Sequence, residues 1–256
     1  MKTRVLMVIE QLDGILKKIE SDFNLLNNKF QKASVELALK YPKEVTPLLI
    51  RLLEPAMKNP ENMDISYNGH IYATYLLAAF KEPQAFPLLL EISQLTDDEL
   101  DLDIDDCITD NLHWFISATY NNNFPELAEL LESQNTSVWT KHTLLFTLLM
   151  LCEKGTLTTD FLSNYYSELF KNPAYAPDNE IYLSLIRVCY ELDAKYFYKI
   201  ISKTLVTIDL EHIYITNNSL EKKAANPKYN LTNESSPNLE FVNDVINEMK
   251  CLSCFD

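Results

Sequence analysis

The densest concentration of chemically capable side chains is a run of carboxylates: Asp97, Asp98, Glu99, Asp101, Asp103, Asp105, Asp106 and Asp110. Asp97-Asp98-Glu99-Leu100-Asp101 fits the D-D-x-x-D spacing by which helical isoprenoid synthases hold Mg²⁺ against a diphosphate. Carboxylates one helical turn apart share a face, and hard divalent cations want oxygen ligands. A metal-dependent enzyme built on Asp97, Asp98 and Asp101, with Asp105, Asp106 and Asp110 as further ligands, is therefore one reading. Against it, no second Asp-rich motif lies on a distant helix: Asn243-Asp244-Val245-Ile246-Asn247 is a near miss without the later acid. Nor is there a basic cluster beside the run to grip a diphosphate. Asp101-x-Asp103-x-Asp105 also imitates the start of an EF-hand loop. The sixth and twelfth positions of such a loop need Gly and Glu, and they hold Asp106 and Leu112 here. What remains is adventitious cation binding at Asp101, Asp103 and Asp105, or a solvated loop. In such a loop Thr96 caps one helix and Asp105 or Asp106 caps the next, toward Trp114.

The other candidate ligands are thinner. Cys251-x-x-Cys254 supplies half of a four-ligand zinc site, and His70, His113, His142 and His212 are scattered singly. Two chains sharing one zinc, or a frayed and inert tail, are the alternatives; the tail is the expectation. Cys107, Cys152 and Cys189 stand alone in apolar runs and read as reduced core thiols. The sequence contains neither G-x-S-x-G nor H-E-x-x-H. His113, beside the Asp run, reads as a neutral, hydrogen-bonded side chain. Tyr165, Tyr166, Tyr190, Tyr196 and Tyr198 cluster late in the chain, where tyrosine serves either packing or a binding surface.

Charge narrows the function classes. The 256 residues carry 22 Lys plus Arg against 37 Asp plus Glu, a net charge of −15. Between Lys81 and Lys141 there is no cation and there are thirteen acids, so this stretch supplies most of the net charge. Nucleic-acid binding rests on neutralising phosphates with Lys and Arg, and an anionic membrane surface attracts the same residues. Both are poor fits, and a basic protein partner is the better electrostatic match. With only three glycines, Gly14, Gly69 and Gly155, neither a phosphate-cradling loop nor a dinucleotide fingerprint can be built. No cofactor is expected. The longest apolar run, Leu144 to Cys152 interrupted by Thr147, is far short of a membrane span. The N-terminal residues lack a signal-peptide core. A cytoplasmic location is the expectation, with translocation into a host cell left open.

The elements that must position these residues read as helices. Val45, Leu48, Leu49, Leu52, Leu53 and Ala56 form one stripe over Glu44–Lys58, with Pro42 and Pro47 in the first turn and Pro60 as a stop. Beyond it, pairs of helices recur: one opening near Asn68 and running to Phe80 with Gln84 to Leu95, Leu112 to Tyr120 with Phe124 to Glu132, Val138 to Glu153 with Thr158 to Phe170, and Ile181 to Glu191 with Ala194 to Ile208. Their turns fall near residues 82, 122, 155 and 193, a period that matches two-helix solenoid repeats. Thr3–Ile19 is amphipathic and, with a helix around Lys32–Lys40, reads as an N-terminal cap. Asn217–Asn238 is polar and reads as a linker. Leu239–Lys250 places Leu239, Val242, Val245, Ile246 and Met249 on one face and reads as a C-terminal cap docked on the repeats.

Lys43-Glu44-Val45-Thr46-Pro47-Leu48-Leu49, the stretch His70 to Glu82, Asp106-Cys107-Ile108-Thr109-Asp110, Lys141-His142-Thr143-Leu144 and Leu151-Cys152-Glu153-Lys154-Gly155 together resemble the bacterial domain-of-unknown-function family DUF1186, over roughly residues 35–205. The resemblance implies a HEAT-like fold in a family of intracellular bacteria, with no assigned activity to carry over. Many members end in a Cys-rich zinc-binding tail; this sequence keeps two of the cysteines and lacks the accompanying Gly and Lys residues.

The sequence thus predicts an all-α protein: a HEAT-like α-solenoid of helical hairpins with N- and C-terminal caps over residues 1–216, a linker over 217–238, and a capping helix with a Cys-containing tail over 239–256. The leading functional reading is a non-catalytic scaffold for a basic protein partner, with Asp97, Asp98, Asp101, Asp103, Asp105 and Asp106 as the contact surface. The alternative is the metal-dependent enzyme of segment 97–110.

Overall fold

The computed structural model describes residues 2–26, 29–55, 67–95, 106–208, 215–228, 244–252 and 254–255. Among these the regular elements are helices, and the one β feature is an isolated bridge between Leu26 and Tyr67. The chain divides into two compact units, Met1–Asn122 together with Phe241–Asp256, and Asn123–Glu240.

The first unit holds α1 (Lys2–Phe23), α2 (Lys32–Lys40), α3 (Pro42–Leu53), α4 (Gly69–Phe80), α5 (Phe86–Ile92), α6 (Asp106–Thr109), α7 (Leu112–Thr119) and α14 (Val245–Lys250). At its centre is α4, buried without interruption from Gly69 to Ala78. A helix apolar on every side must be surrounded on every side, and α4 packs against α2, α3, α7 and α14. Gly69 permits one close approach. A Cβ there would collide with the Tyr67 ring, whose hydroxyl donates to the Leu52 carbonyl at 3.0 Å. The stripe expected on α3 is buried at Val45, Leu48, Leu49, Leu52 and Leu53, each contributing at most about 1.5–3 kcal/mol of transfer free energy. Pro42 is at the first helical position, but Pro47 lies inside the helix.

The last helix, expected to dock back on the repeats, packs as α14 on α2 and α4 of the first unit, with Val245 and Met249 buried. The tail beyond it is not frayed at Phe255, which is 7% exposed. Its ring lies 5.0 Å from Tyr72 and 5.5 Å from Phe30, and Tyr72 stacks on Phe23 at 4.2 Å. A terminal aromatic next to an aromatic cluster gains more from burial than it loses in ordering a short tail.

The second unit holds α8 (Phe124–Glu132), α9 (Val138–Glu153), α10 (Thr159–Leu169), α11 (Ile181–Asp193), α12 (Tyr198–Thr207) and α13 (Asn217–Ala225). Here α9 is the central helix, buried from Thr140 to Leu151 except at His142 and packed against α8, α10 and α11. Tyrosine hydroxyls tie the helices together. Tyr166 of α10 donates to the Leu145 carbonyl of α9 at 2.8 Å, and Tyr175 to the Leu131 carbonyl of α8 at 3.0 Å. Tyr182 of α11 pairs with Thr204 of α12 at 2.8 Å, and Tyr190 of α11 donates to the Ser219 carbonyl of α13 at 3.3 Å. Each ring thus fills space and also satisfies a buried polar group.

Three of the four expected turns contain a residue of left-handed backbone: Lys81 (φ 54°), Asn122 (φ 68°) and Gly155 (φ 73°). After α4, the Lys81 and Glu82 amides donate to the Ala78 and Leu77 carbonyls; after α9, those of Gly155 and Thr156 donate to Cys152 and Leu151. This is the paired closure by which a left-handed residue ends a helix. The fourth turn, after Asp193, lacks such a residue and is held by the Asp193 carboxylate, which accepts from the Tyr196 amide at 2.9 Å.

A second correction concerns the polar linker. Its first nine residues are helical, as α13. A reciprocal cap starts the helix, with the Ser219 amide donating to Thr216 Oγ1 at 3.1 Å and the Thr216 amide to Ser219 Oγ at 2.8 Å. Residues 229–243, which contain the rest of the expected linker and the start of the expected last helix, lie outside the described residues.

Candidate functional site

Of the acidic residues expected to bind a partner or a cation, Asp97, Asp98, Asp101, Asp103 and Asp105 lie outside the described residues. Asp106 opens α6, and Asp110 is exposed just past it. The helix toward Trp114 has Asn111 as its N-cap. The two C-terminal cysteines differ: Cys251 is exposed and Cys254 half-buried. Among the described residues no group of three or more His, Cys, Asp or Glu could hold a metal ion. Of the thiols read as core, Cys189 is buried, but Cys152 is half-exposed, its Sγ 3.6 Å from Thr159 Oγ1. Being at the end of α9, it escapes the packing that encloses the helix middle.

What the fold does bring together is a polar seam between α9, α11 and α13. His142, Phe146 and Glu153 lie along one face of α9, and Ser184, Arg187 and Glu191 along one face of α11, the helix it packs against. His142 Nδ1 is 2.9 Å from Ser184 Oγ. The Arg187 guanidinium lies 5.4 Å from the centre of the Phe146 ring. Glu191 accepts from Lys223 of α13 at 3.0 Å, with side chains only 9% and 6% exposed. At the seam's first turn the Lys141 side chain is buried against the Tyr175 ring, its Nζ 5.5 Å from the ring centre.

The electrostatics follow from this geometry. Burial, and then the Arg187 charge, hold the His142 imidazolium down to a pKa of about 4, so the ring is neutral at physiological pH. Burial lowers Lys141. Burial also lowers Arg187, against which Glu191 acts in the opposite direction. Glu153 is raised by burial and by the neighbouring Glu191, with Lys223 and Lys154 opposing. Burial raises the hydroxyls of Tyr165, Tyr166 and Tyr175, so all three stay protonated, and those of Tyr166 and Tyr175 donate to backbone carbonyls.

Chemically, the charges of the seam answer one another: Glu153 and Glu191 lie near Arg187 and Lys223, with Lys141 buried against Tyr175 as a further cation. The Ser184–His142 pair has the reach of a nucleophile and base. Among the described residues, however, no carboxylate hydrogen-bonds the other ring nitrogen to orient it. The seam fastens helices to one another. The sequence reading missed it, although a signal existed: Ser184, Arg187 and Glu191 interrupt an apolar helix at spacings of three and four, which puts them on one face.

A family model described as "Protein of unknown function (DUF1186)" matches residues 11–256. The chain belongs to this family. Similar to this DUF1186 chain are two proteins named "Uncharacterized protein", from Chlamydia trachomatis serovar D and from Chlamydia muridarum. Each is 26% identical over 160 residues, covering 60% of this chain and 63% or 64% of the relative. The match thus spans less than two thirds of the length of these relatives. No solved structure matches. Among the described residues no helix is long and apolar enough to cross a membrane.

Proposed function

We propose that this DUF1186 protein is a non-catalytic scaffold that recruits a basic protein partner through its acidic face, in the cytoplasm of the cell that makes it. The observation that supports the reading most directly is the state of the carboxylates in the cation-free stretch. Glu91, Asp110, Glu129 and Glu132 are exposed, and none forms an ion pair among the described residues. Among the described residues no ion pair cancels their charge, on the first unit (Glu91, Asp110) or on the second (Glu129, Glu132). A partner presenting Lys or Arg would be steered to such carboxylates and held by interactions that salt screens within about 8 Å at physiological ionic strength. In this reading the helical pairs stack as HEAT-like hairpins, since a solenoid offers a long fixed surface and needs no cofactor for it.

The test is binding to a purified partner over a salt series, with charge reversal at Asp101, Asp103 and Asp105. Affinity should fall steeply with salt, and the salt slope should flatten in the reversed variant. A partner indifferent to both sinks the reading. Small-angle scattering from an elongated particle supports the stacked arrangement; a spherical profile removes it.

A further inference from the structure

The second unit carries an aromatic ledge that packing does not account for. Phe161 is 44% exposed and Tyr196 54% exposed. Both meet at α10, Phe161 as one of its residues and Tyr196 through a hydrogen bond to it. The Phe124 ring of α8 lies 5.0 Å from Phe161 and 5.1 Å from Tyr165 of α10, edge to face. The Tyr196 hydroxyl donates to Asn164 Oδ1 at 3.3 Å. Large aromatics left on a surface cost solvation free energy, and a contiguous group of them marks a binding surface more often than a scattered one.

On α8 and α10, the Phe161 side of the ledge, the charge is one-sided. Helices α8 and α10 carry Glu126, Glu129, Glu132, Asp160 and Glu168 and no Lys or Arg. Glu126 accepts from Asn123 at 2.8 Å, beside Phe124. Asp160, next to Phe161, is exposed. Glu132 is the charge that, with burial, raises the Tyr165 hydroxyl. Lys171 is engaged by Glu168 at 2.6 Å, while the exposed Lys195 and Lys199 lie beside Tyr196 and one turn on from it.

We propose that this ledge is a docking site for an arginine-bearing segment of a protein partner. Open aromatic faces attract cations through the ring quadrupole, and carboxylates at the rim take the same cations by charge-assisted hydrogen bonds. Arginine answers both features at once, because its planar guanidinium stacks on a ring while its fork pairs with a carboxylate. Lysine, a compact and strongly hydrated point charge, answers the carboxylates better than the rings. The inference rests on the scaffold reading and adds to it a place and a recognition chemistry.

The experiment uses two fluorescein-labelled helical peptides, one with arginines along a face and its twin with lysines at the same positions. Both are titrated by anisotropy into the full-length chain and into the double variant Phe161→Leu, Tyr196→Leu. The variant keeps every charge and most of the apolar volume, and both positions are exposed, so its circular dichroism should match the parent's. The arginine peptide should bind the parent about tenfold more tightly than its twin, a difference of about 1.4 kcal/mol. In the variant the preference should vanish while the weaker, salt-sensitive binding of both peptides persists. Equal affinities in the parent, or an arginine preference that survives in the variant, overturn the ledge and leave the acidic scaffold standing. Failure of both peptides to bind overturns ledge and scaffold together. A photo-crosslinking amino acid at position 161 that captures the chain's own residues instead of the arginine peptide also overturns the proposal, because the ledge then has an internal occupant.

Discussion

His142 carries a pH signature that can be read with its sign. Its pKa is about 4 in the folded chain against an ordinary 6.5, so the folded state holds fewer protons than the unfolded state between those values. Stability from this group is complete above pH 6.5 and is lost as pH falls toward 4, by up to about 3 kcal/mol at ~1.4 kcal/mol per pKa unit. Urea midpoints at pH 7 and pH 4.5 should therefore separate more for the parent than for His142→Gln, which keeps a partner for Ser184 without titrating. Equal separations would show that His142 takes up its proton in the folded state. The thiols give a second residue-scale prediction. Cys251 is exposed, Cys254 and Cys152 are half-buried, and Cys189 is enclosed with its thiol pushed well above the usual range by burial. A thiol reagent under native conditions should modify Cys251 first and Cys189 only on unfolding, with peptide mapping giving the order. The inertness of Cys189 was legible from its apolar neighbours. The exposure of Cys152 was not, because whether an apolar helix end is covered depends on what the following turn does.

At the scale of elements, α13 is held on α11 by a buried ion pair, and such a pair is costly to break one-sidedly. Lys223 also lies over the Tyr190 ring, 5.8 Å from its centre. Replacing it by Met strands the Glu191 carboxylate in an interior that is 9% exposed. The expected loss is about 3 kcal/mol, moderated by Arg187 one turn away on α11. Adding Glu191→Leu should restore most of it, since two apolar groups can replace a buried pair at little net cost. Urea denaturation of both variants measures this, and a double variant no better than the single would place the loss in packing instead of charge. This helix escaped the sequence reading for a physical reason. Asn217–Ala225 has one large apolar residue, Leu220, and its burial depends on Lys223 finding an acid on a different helix. Periodicity reports apolar stripes, and this helix docks largely through a capping pair and a charge. The helices α9 and α11 were legible nearly to their ends, while α3, expected to run to Lys58, ends at Leu53. Three turns were legible as well, since the Pro, Asn and Gly residues that mark them sit beside the positions of positive φ.

For the molecule as a whole, the decisive feature is that the chain builds most of one unit, then the second, and returns to the first with its last residues. No local pattern announces such a return. The apolar stripe of the last helix states that it must dock, while the host surface is assembled from α2 and α4, far earlier in the chain. The consequence is a dependence of the first unit on the end of the chain. Met249 is fully buried, and Phe255 is held between Tyr72 and Phe30. Tyr72 is itself buried deeply enough that its hydroxyl is pushed up to about 12. Phe255→Ala should cost about 2 kcal/mol, below the usual 3–5 for a core aromatic because a non-helical segment beyond a short helix relaxes more easily than a central helix. The two tryptophans allow the loss to be located, since Trp114 belongs to the first unit and Trp139 to the second. With Trp139→Phe as background, the urea midpoint read at Trp114 should drop on Phe255→Ala. With Trp114→Phe as background, the midpoint read at Trp139 should move by a smaller amount. A cut before Asp244 should exaggerate the difference, exposing the Tyr72 ring to quenchers and lowering the Trp114 midpoint further. If the Trp114 midpoint ignores both changes, the tail contributes nothing to the unit it docks on. If both tryptophans shift equally, the two units unfold as one cooperative body.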